Sequence, residues 1–284
     1  LRLLKWCCPA ALLSIFSAVA WFFIYANLST TLPSATMEFS VTPGSTLRQA
    51  ARQISEAGVP LAERQFVLLA RIAGKGRDIR AGSYELADGT TPWELLRKIT
   101  SGDVLLVEVK FIEGWTFAQM RAALDAMSDV RHDSNGLRDA DIMARIGAPE
   151  GQAPEGQFFP DTYLIAKGES DLKILGRAYR LMQKHLQAAW EQRADDNRLK
   201  SPLDALTLAS IVEKETGDPS ERPLISGVFH NRLRIGMRLQ TDPTVIYGMG
   251  ASYKGNIRKV DLETDTPFNT YTRAGLPPHP IAMP

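Results

Sequence analysis

Two glutamates, Glu213 and Glu215, lie in the stretch Leu203 to Gly250, LDALTLASIVEKETGDPSERPLISGVFHNRLRIGMRLQTDPTVIYGMG. Its first part reads as a helix with apolar residues at Leu208, Ile211 and Val212. At about 100° per residue, Glu215 falls within roughly 20° of Leu208 and continues that face. Glu213 falls roughly 140° from Leu208, so it and Lys214 read as solvent-facing charges. Partial burial raises a carboxyl pKa and keeps the group protonated, which is what a general acid needs at neutral pH. Helix geometry alone leaves a second reading of Glu215 equally open, a structural carboxylate paired with Arg232 or Arg238.

A second helix is predicted from about Pro219 to Leu233, followed by a turn crowded with Gln240, Thr241 and Asp242 before Pro243, then Tyr247 and two glycines. Polar side chains bounded by Gly and Pro suit hydrogen bonding to a sugar or peptide, and they equally suit plain turn chemistry. Upstream, Glu155-GQFFPDTY-Leu164 reads as a fixed loop whose aromatics, Phe159 among them, are either core or a platform for a sugar ring. Other chemistries find no support. There is no H-E-x-x-H and no His/Cys cluster, so no metal or other cofactor is expected. No G-x-S-x-G or S-x-x-K in a suitable context points to acyl transfer, and no glycine-rich phosphate loop is present.

The elements that must position these residues come in two kinds. Gly44-STLRQAARQ-Ile54 and Gly89-TTPWELLRK-Ile99 align at an offset of 45 residues, and Gly114-WTFAQMRAAL is a looser third copy. Each places Thr three residues before Gln or Glu (Thr46/Gln49, Thr91/Glu94, Thr116/Gln119), the spacing of a helix capping box. Strand-like runs sit nearby at Met37–Thr42, Ser83–Ala87 and Val104–Ile112, so a small α+β module is predicted over about 37–112. Residues 113–200 read as mostly helical, with a long amphipathic stretch from Leu172 to Trp190 in which His185 is a core or boundary residue rather than a ligand.

The 284 residues carry 33 Lys+Arg against 32 Asp+Glu, which leaves no electrostatic footprint for nucleic acid. No charge occurs between Lys5 and Glu38, and Trp6 to Leu28 is almost wholly apolar, close to the roughly 20 residues that span a bilayer. A cleavable signal peptide would have a shorter apolar region and a small-x-small cleavage site. With Arg2 and Lys5 before the span, the N-terminus is expected in the cytoplasm and the rest outside. Both cysteines, Cys7 and Cys8, fall at the cytoplasmic edge of this anchor, so the exported part depends on no disulfide.

Three blocks carry a resemblance: Ala209-SIVEKE-Thr216, Val228-FHNRLRIGMRLQTDPTVIYGM-Gly250 and Phe268-NTYTRAGLPPHPIA-Met283. Together with the anchor and Glu155-GQFFPDTY-Leu164, in which Gln157 replaces a usual aromatic, they resemble the MltG/YceG family of bacterial endolytic murein transglycosylases. The resemblance implies an α+β fold class. Its layout is a cytoplasmic stub (1–5), a transmembrane helix (6–28), a linker (29–36), a LysM-like module (37–112) and a mainly helical catalytic domain with short strands (113–284), continued beyond Pro284 in relatives. It implies cleavage of the MurNAc-β-1,4-GlcNAc bond of nascent peptidoglycan strands at the bacterial inner membrane. The product would have a 1,6-anhydroMurNAc end, glycan elongation would stop there, and cell-wall synthases would be partners. Glu215 aligns with the catalytic glutamate. Asn231, Arg232, Gln240, Thr241, Asp242, Tyr247, Asn269, Tyr271, Phe159 and Asp161 become expected substrate contacts, with Asp242 a candidate stabiliser of the cationic sugar. The alternative is a membrane-tethered peptidoglycan-binding scaffold without chemistry.

Overall fold

The computed structural model describes residues 16–17, 19–194, 197 and 199–284. Most of the first half of the expected membrane span (residues 6–15, and also 18) lies outside the described residues. Among the described residues no helix is long and apolar enough to cross a membrane. The chain divides into two compact units, residues 1–107 with 166–168, and 108–165 with 169–284.

The first unit is built on an antiparallel pair, β1 (Thr36–Val41) with β2 (Gly82–Ala87), in which Phe39 opposes Tyr84 and the rings stack at 5.3 Å. Between the strands run α1 (Leu47–Glu56) and α2 (Glu63–Ile72), and after β2 comes α3 (Pro92–Ser101). The caps of α1 and α3 are the predicted boxes: Thr46 with Gln49, and Thr91 with Glu94. Ile54, Phe66, Leu69, Leu95 and Ile99 meet over the inner face of the sheet, each with 2% or less of its surface exposed. Tyr84 is fully buried, and its hydroxyl is satisfied by donating to Arg80 O at 2.7 Å. Residues 19–27 are helical and rest on this core through Phe22, Tyr25 and Ala26. The chain that follows is pinned, not free: Thr30 N–H donates to Thr90 O and Leu32 N–H to the Asp88 carboxylate.

The second unit begins in β3 (Leu106–Lys110), which pairs with β4 (Thr162–Ala166), Phe111 N–H donating to Asp161 O at 3.0 Å. The segment expected as a fixed loop therefore ends in a strand, because a partner strand lies about fifty residues earlier. Two helices intervene, α4 (Phe117–Asp125), capped by Thr116 and Gln119 as predicted, and α5 (Asp139–Arg145). The amphipathic stretch is α6 (Asp171–Glu191). His185 takes a boundary position, its ring stacked on Phe159 at 4.4 Å. Three helices then carry the candidate chemistry: α7 (Pro202–Glu215), α8 (Arg222–Arg234) and α9 (Asp242–Met249). A short 3-10 turn and α10 (Lys259–Glu263) precede an irregular C-terminal segment. Leu208, Ile211 and Val212 of α7 pack with Phe229, Leu239 and Ile281 into one core.

The turn predicted at 240–242 is the entrance of α9. Pro243 occupies its first turn, where the missing N–H costs nothing and the fixed φ already suits a helix.

Candidate active site

Glu215 is the last residue of α7, and its chain turns extended at Thr216, with φ −140° and ψ 140°. The buried residues of the helix end at Val212, and although Thr216 just beyond it is buried, the Glu215 side chain is exposed. The expected half-burial of Glu215 does not occur. Its carboxylate is held instead by one hydrogen bond, Thr241 Oγ1 donating to Oε2 at 2.7 Å. Neither arginine of the alternative reading pairs with it. Arg232 Nη1 donates to Leu239 O, and Arg238 Nη1 donates to Tyr271 O at 2.9 Å.

Glu213 reverses its expectation as well. Its side chain is only 13% exposed and bonds Arg222 Nη2 at 2.9 Å, because the start of α8 folds back beside α7. Burial pushes its carboxyl up, and the Arg222 charge opposes that. The helical wheel of a single helix carries no information about such a neighbour.

Thr241 is itself fixed. Its N–H donates to Thr270 Oγ1 at 3.1 Å, and its carbonyl accepts from Thr244 Oγ1 at 2.8 Å. The Thr244 and Thr270 hydroxyls lie 2.8 Å apart, and Gln240 N–H donates to Thr270 O. Three buried threonines thus aim one hydroxyl at the exposed carboxylate. Gln240, immediately before, adopts φ +50°, a left-handed conformation that a non-glycine residue holds only where its surroundings force it.

Beside this cluster, Tyr271 OH donates to Asp242 Oδ1 at 2.6 Å. Burial pushes the Tyr271 phenol up to about 12, helped by its bond to Asp242 and by the charges of Asp242 and Glu215, with Arg232 opposing. The three blocks of the sequence therefore converge: Glu215 from the first, Thr241 and Asp242 from the second, Thr270 and Tyr271 from the third.

The remaining expected contacts divide. Asn231 and Gln240 present exposed side chains. Asn269 is 1% exposed and wholly engaged, its Nδ2 donating to Asp261, Leu262 and Thr264 carbonyls and its Oδ1 accepting from Tyr271 N–H. It positions Tyr271 and has no group left over for a ligand. Arg232 likewise holds the turn after α8. Phe159 and Asp161 make their contacts away from Glu215, with His185 and along the β3–β4 pair.

Glu155 was not singled out by its sequence, and the structure draws attention to it. It is 6% exposed, with Oε1 accepting from Phe117 N–H at 2.9 Å and Oε2 accepting from Tyr247 OH at 3.1 Å. Burial pushes its carboxyl up, against the pull of those two donors. It lines a groove of about 1080 Å³ with Gln119, Arg121, Lys214, Pro243 and Tyr247. Lys214 and Pro243 are the chain neighbours of Glu215 and Asp242, which do not themselves line the groove. The size of the groove suits an extended ligand. The only local signal for Glu155 was an acidic residue placed before an aromatic run; its partner Tyr247 is 92 residues away.

Residues 39–284 match the sequence pattern described as the YceG-like family. An endolytic murein transglycosylase of Bacillus subtilis is 28% identical over 264 residues, covering 87% of this chain and 72% of that protein. One from Streptococcus pneumoniae is 27% identical over 239 residues, covering 73% of this chain and 43% of its own. The chain thus spans under half the length of the pneumococcal relative. A crystal structure of a yceG-like protein from Listeria monocytogenes matches with a TM-score of 0.51 and 25% identity, over 88% of this chain and 86% of that one.

Proposed function

The chain belongs to the YceG-like family, and from that premise we propose that it is a lytic transglycosylase of peptidoglycan with Glu215 as its proton-transfer group. The observation that carries this reading is the convergence of three distant sequence blocks on one exposed carboxylate, with Thr241 Oγ1 at 2.7 Å. The names of the relatives supply the substrate class.

In the proposed reaction, protonated Glu215 gives its proton to the oxygen of the MurNAc-β-1,4-GlcNAc bond. The bond breaks, GlcNAc leaves with that proton, and the muramyl ring becomes oxocarbenium-like. Its own C6 hydroxyl then attacks C1 and returns a proton to Glu215, closing a 1,6-anhydro ring with no water consumed. A hydrolase needs a second carboxylate as nucleophile or water activator. An internal hydroxyl removes that need. Among the described residues Oε1 of Glu215 accepts no hydrogen bond, which leaves it open to substrate, while Thr241 steadies Oε2. Asp242, held by Tyr271, is suited to stabilise the cationic sugar.

The same reading places the chain at the bacterial inner membrane. The apolar run 6–28 would supply the anchor, its last turns resting on the first unit through Phe22, Tyr25 and Ala26; the first unit would be a LysM-like glycan-binding module and the second unit the periplasmic enzyme. It would end nascent strands beside the synthases that extend them. The test is digestion of un-crosslinked glycan followed by mass analysis. Wild type is expected to give anhydro ends, and Glu215→Gln to lose about 10²–10⁴-fold in rate. Ordinary reducing ends would mean hydrolysis. Glycan retention without any cleavage by wild type would instead favour the scaffold reading.

A further inference from the structure

The outward side of α2 carries Arg64, Leu68, Arg71 and Ile72, which fall within an arc of roughly 100°. Its inward residues Phe66, Leu69 and Ala70 are buried, so the helix is apolar on two sides. Leu68 is 46% exposed, Ile72 60% and Trp93, at the start of α3, 45%. Ile72 and Trp93 share a concavity of about 370 Å³ with Phe22 and Phe23 of the N-terminal helical segment. Phe23 and Ile24 are themselves more than 60% exposed. A second concavity, of about 580 Å³, joins Arg48, Arg64 and Arg71 around Leu68. Lys75 and Arg97 lie beside Trp93 in a third. The result is a continuous apolar strip rimmed by arginine and lysine, with Glu63 the single acid among those lining residues.

We propose that this face of the first unit lies on an anionic phospholipid surface. Two observations choose that occupant. The strip is continuous with the N-terminal segment, whose preceding sequence is uncharged back to Trp6, so a bilayer that takes up the segment meets Ile72 and Trp93 next. The rim is basic, which matches anionic headgroups, and Trp beside Leu and Ile under an arginine fringe is the composition of an interfacial helix face. The consequence is geometric: the module would be seated on the membrane and not swung on a tether, and the pinned segment at Thr30 and Leu32 fits that role.

The proposal rests on the anchoring reading above, and its test separates the two. The full chain carrying Cys7→Ser and Cys8→Ser is given a nitroxide at Ile72→Cys, or at Glu85→Cys on the exposed side of β2 for reference. Each is reconstituted into nanodiscs of phosphatidylcholine with or without phosphatidylglycerol. Oxygen accessibility relative to a water-soluble nickel chelate is expected to be several-fold higher at 72 than at 85 in the anionic discs. Arg64→Glu with Arg71→Glu should lower occupancy of the surface roughly tenfold or more while the chain stays in the disc. Equal, water-like values at both labels in a chain that has entered the disc would overturn the proposal and leave the anchor standing. Dipolar broadening between labels at 72 would overturn it in favour of a second copy. Shielding of the label by soluble glycan without lipid would overturn it in favour of the sugar. Failure to enter nanodiscs would remove the anchor and the proposal together, while the Glu215→Gln digestion still judges the chemistry separately.

Discussion

The Glu215 carboxylate, the proposed proton-transfer group, is held by a hydroxyl that contacts it from 26 residues away. Replacing Thr241 with Val keeps the buried shape but removes that donor. Loss of a hydrogen bond to a charged group is worth about 1.5–3 kcal/mol, so roughly a tenfold or greater fall in kcat is expected with KM little changed. A fall confined to KM would show that Thr241 acts on substrate binding instead. Glu155 makes a second prediction at this scale, in pH. Burial raises its carboxyl, so its stabilising share is full below the unfolded value of about 4.3 and is lost as pH rises through the folded value. Glu155→Gln stays neutral throughout. The stability of wild type minus that of the Gln variant should therefore decline from pH 4 to pH 7 in urea titrations, and a flat difference would count against the assignment. Glu155→Ala strands the Phe117 N–H in a buried site and should cost about 1–3 kcal/mol.

At the level of elements, the local rules held and the long-range ones could not be read. The three Thr boxes were legible because donor, acceptor and helix all lie within four residues. Removing one at Thr91→Ala should cost about 1 kcal/mol. The apolar face of α7 was legible too, since Leu208, Ile211 and Val212 are buried as their spacing predicts. The burial of Glu213 and Glu215 was not legible, because it depends on where α7 stops and on α8 folding back with Arg222. Strand β4 was hidden for the same reason, its partner being remote. The link between Glu155 and Tyr247 belongs to this class and was also missed. It requires the segment at 155–158 to approach the C-terminal segment closely, and Gly156 permits that approach. At Gly156, φ is +73°, and a Cβ there would come within 2.4 Å of Pro280 Cβ and 2.9 Å of Ala282 O. Gly156→Ala combines a left-handed backbone with a collision that backbone cannot relieve, so a loss of at least about 2 kcal/mol is expected by denaturant unfolding.

For the whole molecule, the division into two units implies two separately measurable stabilities, since each unit has a core of its own. The C-terminal segment belongs to the second core. Ile281, Ala282 and Met283 are almost wholly buried. Gly114 N–H donates to Met283 O at 2.7 Å, Met283 N–H to Trp115 O at 2.8 Å, and Ile281 N–H to Ser210 Oγ at 3.0 Å. Ser210 lies on α7, the helix that ends in Glu215, so the segment helps fix the helix that presents the carboxylate. Burying the two large side chains alone is worth about 3–6 kcal/mol, a large part of the roughly 5–15 kcal/mol that holds a typical domain. Deleting residues 281–284 should therefore release α7 while leaving the first unit folded. Hydrogen exchange read by mass spectrometry is the direct measurement. Amides of Leu206 to Val212 are expected to lose protection together with activity, and those of Ala50 to Ile54 to keep theirs. Loss of protection in both sets at once would mean that the two cores unfold as one cooperative body, and unchanged protection of α7 would mean that its position does not depend on the C-terminal segment.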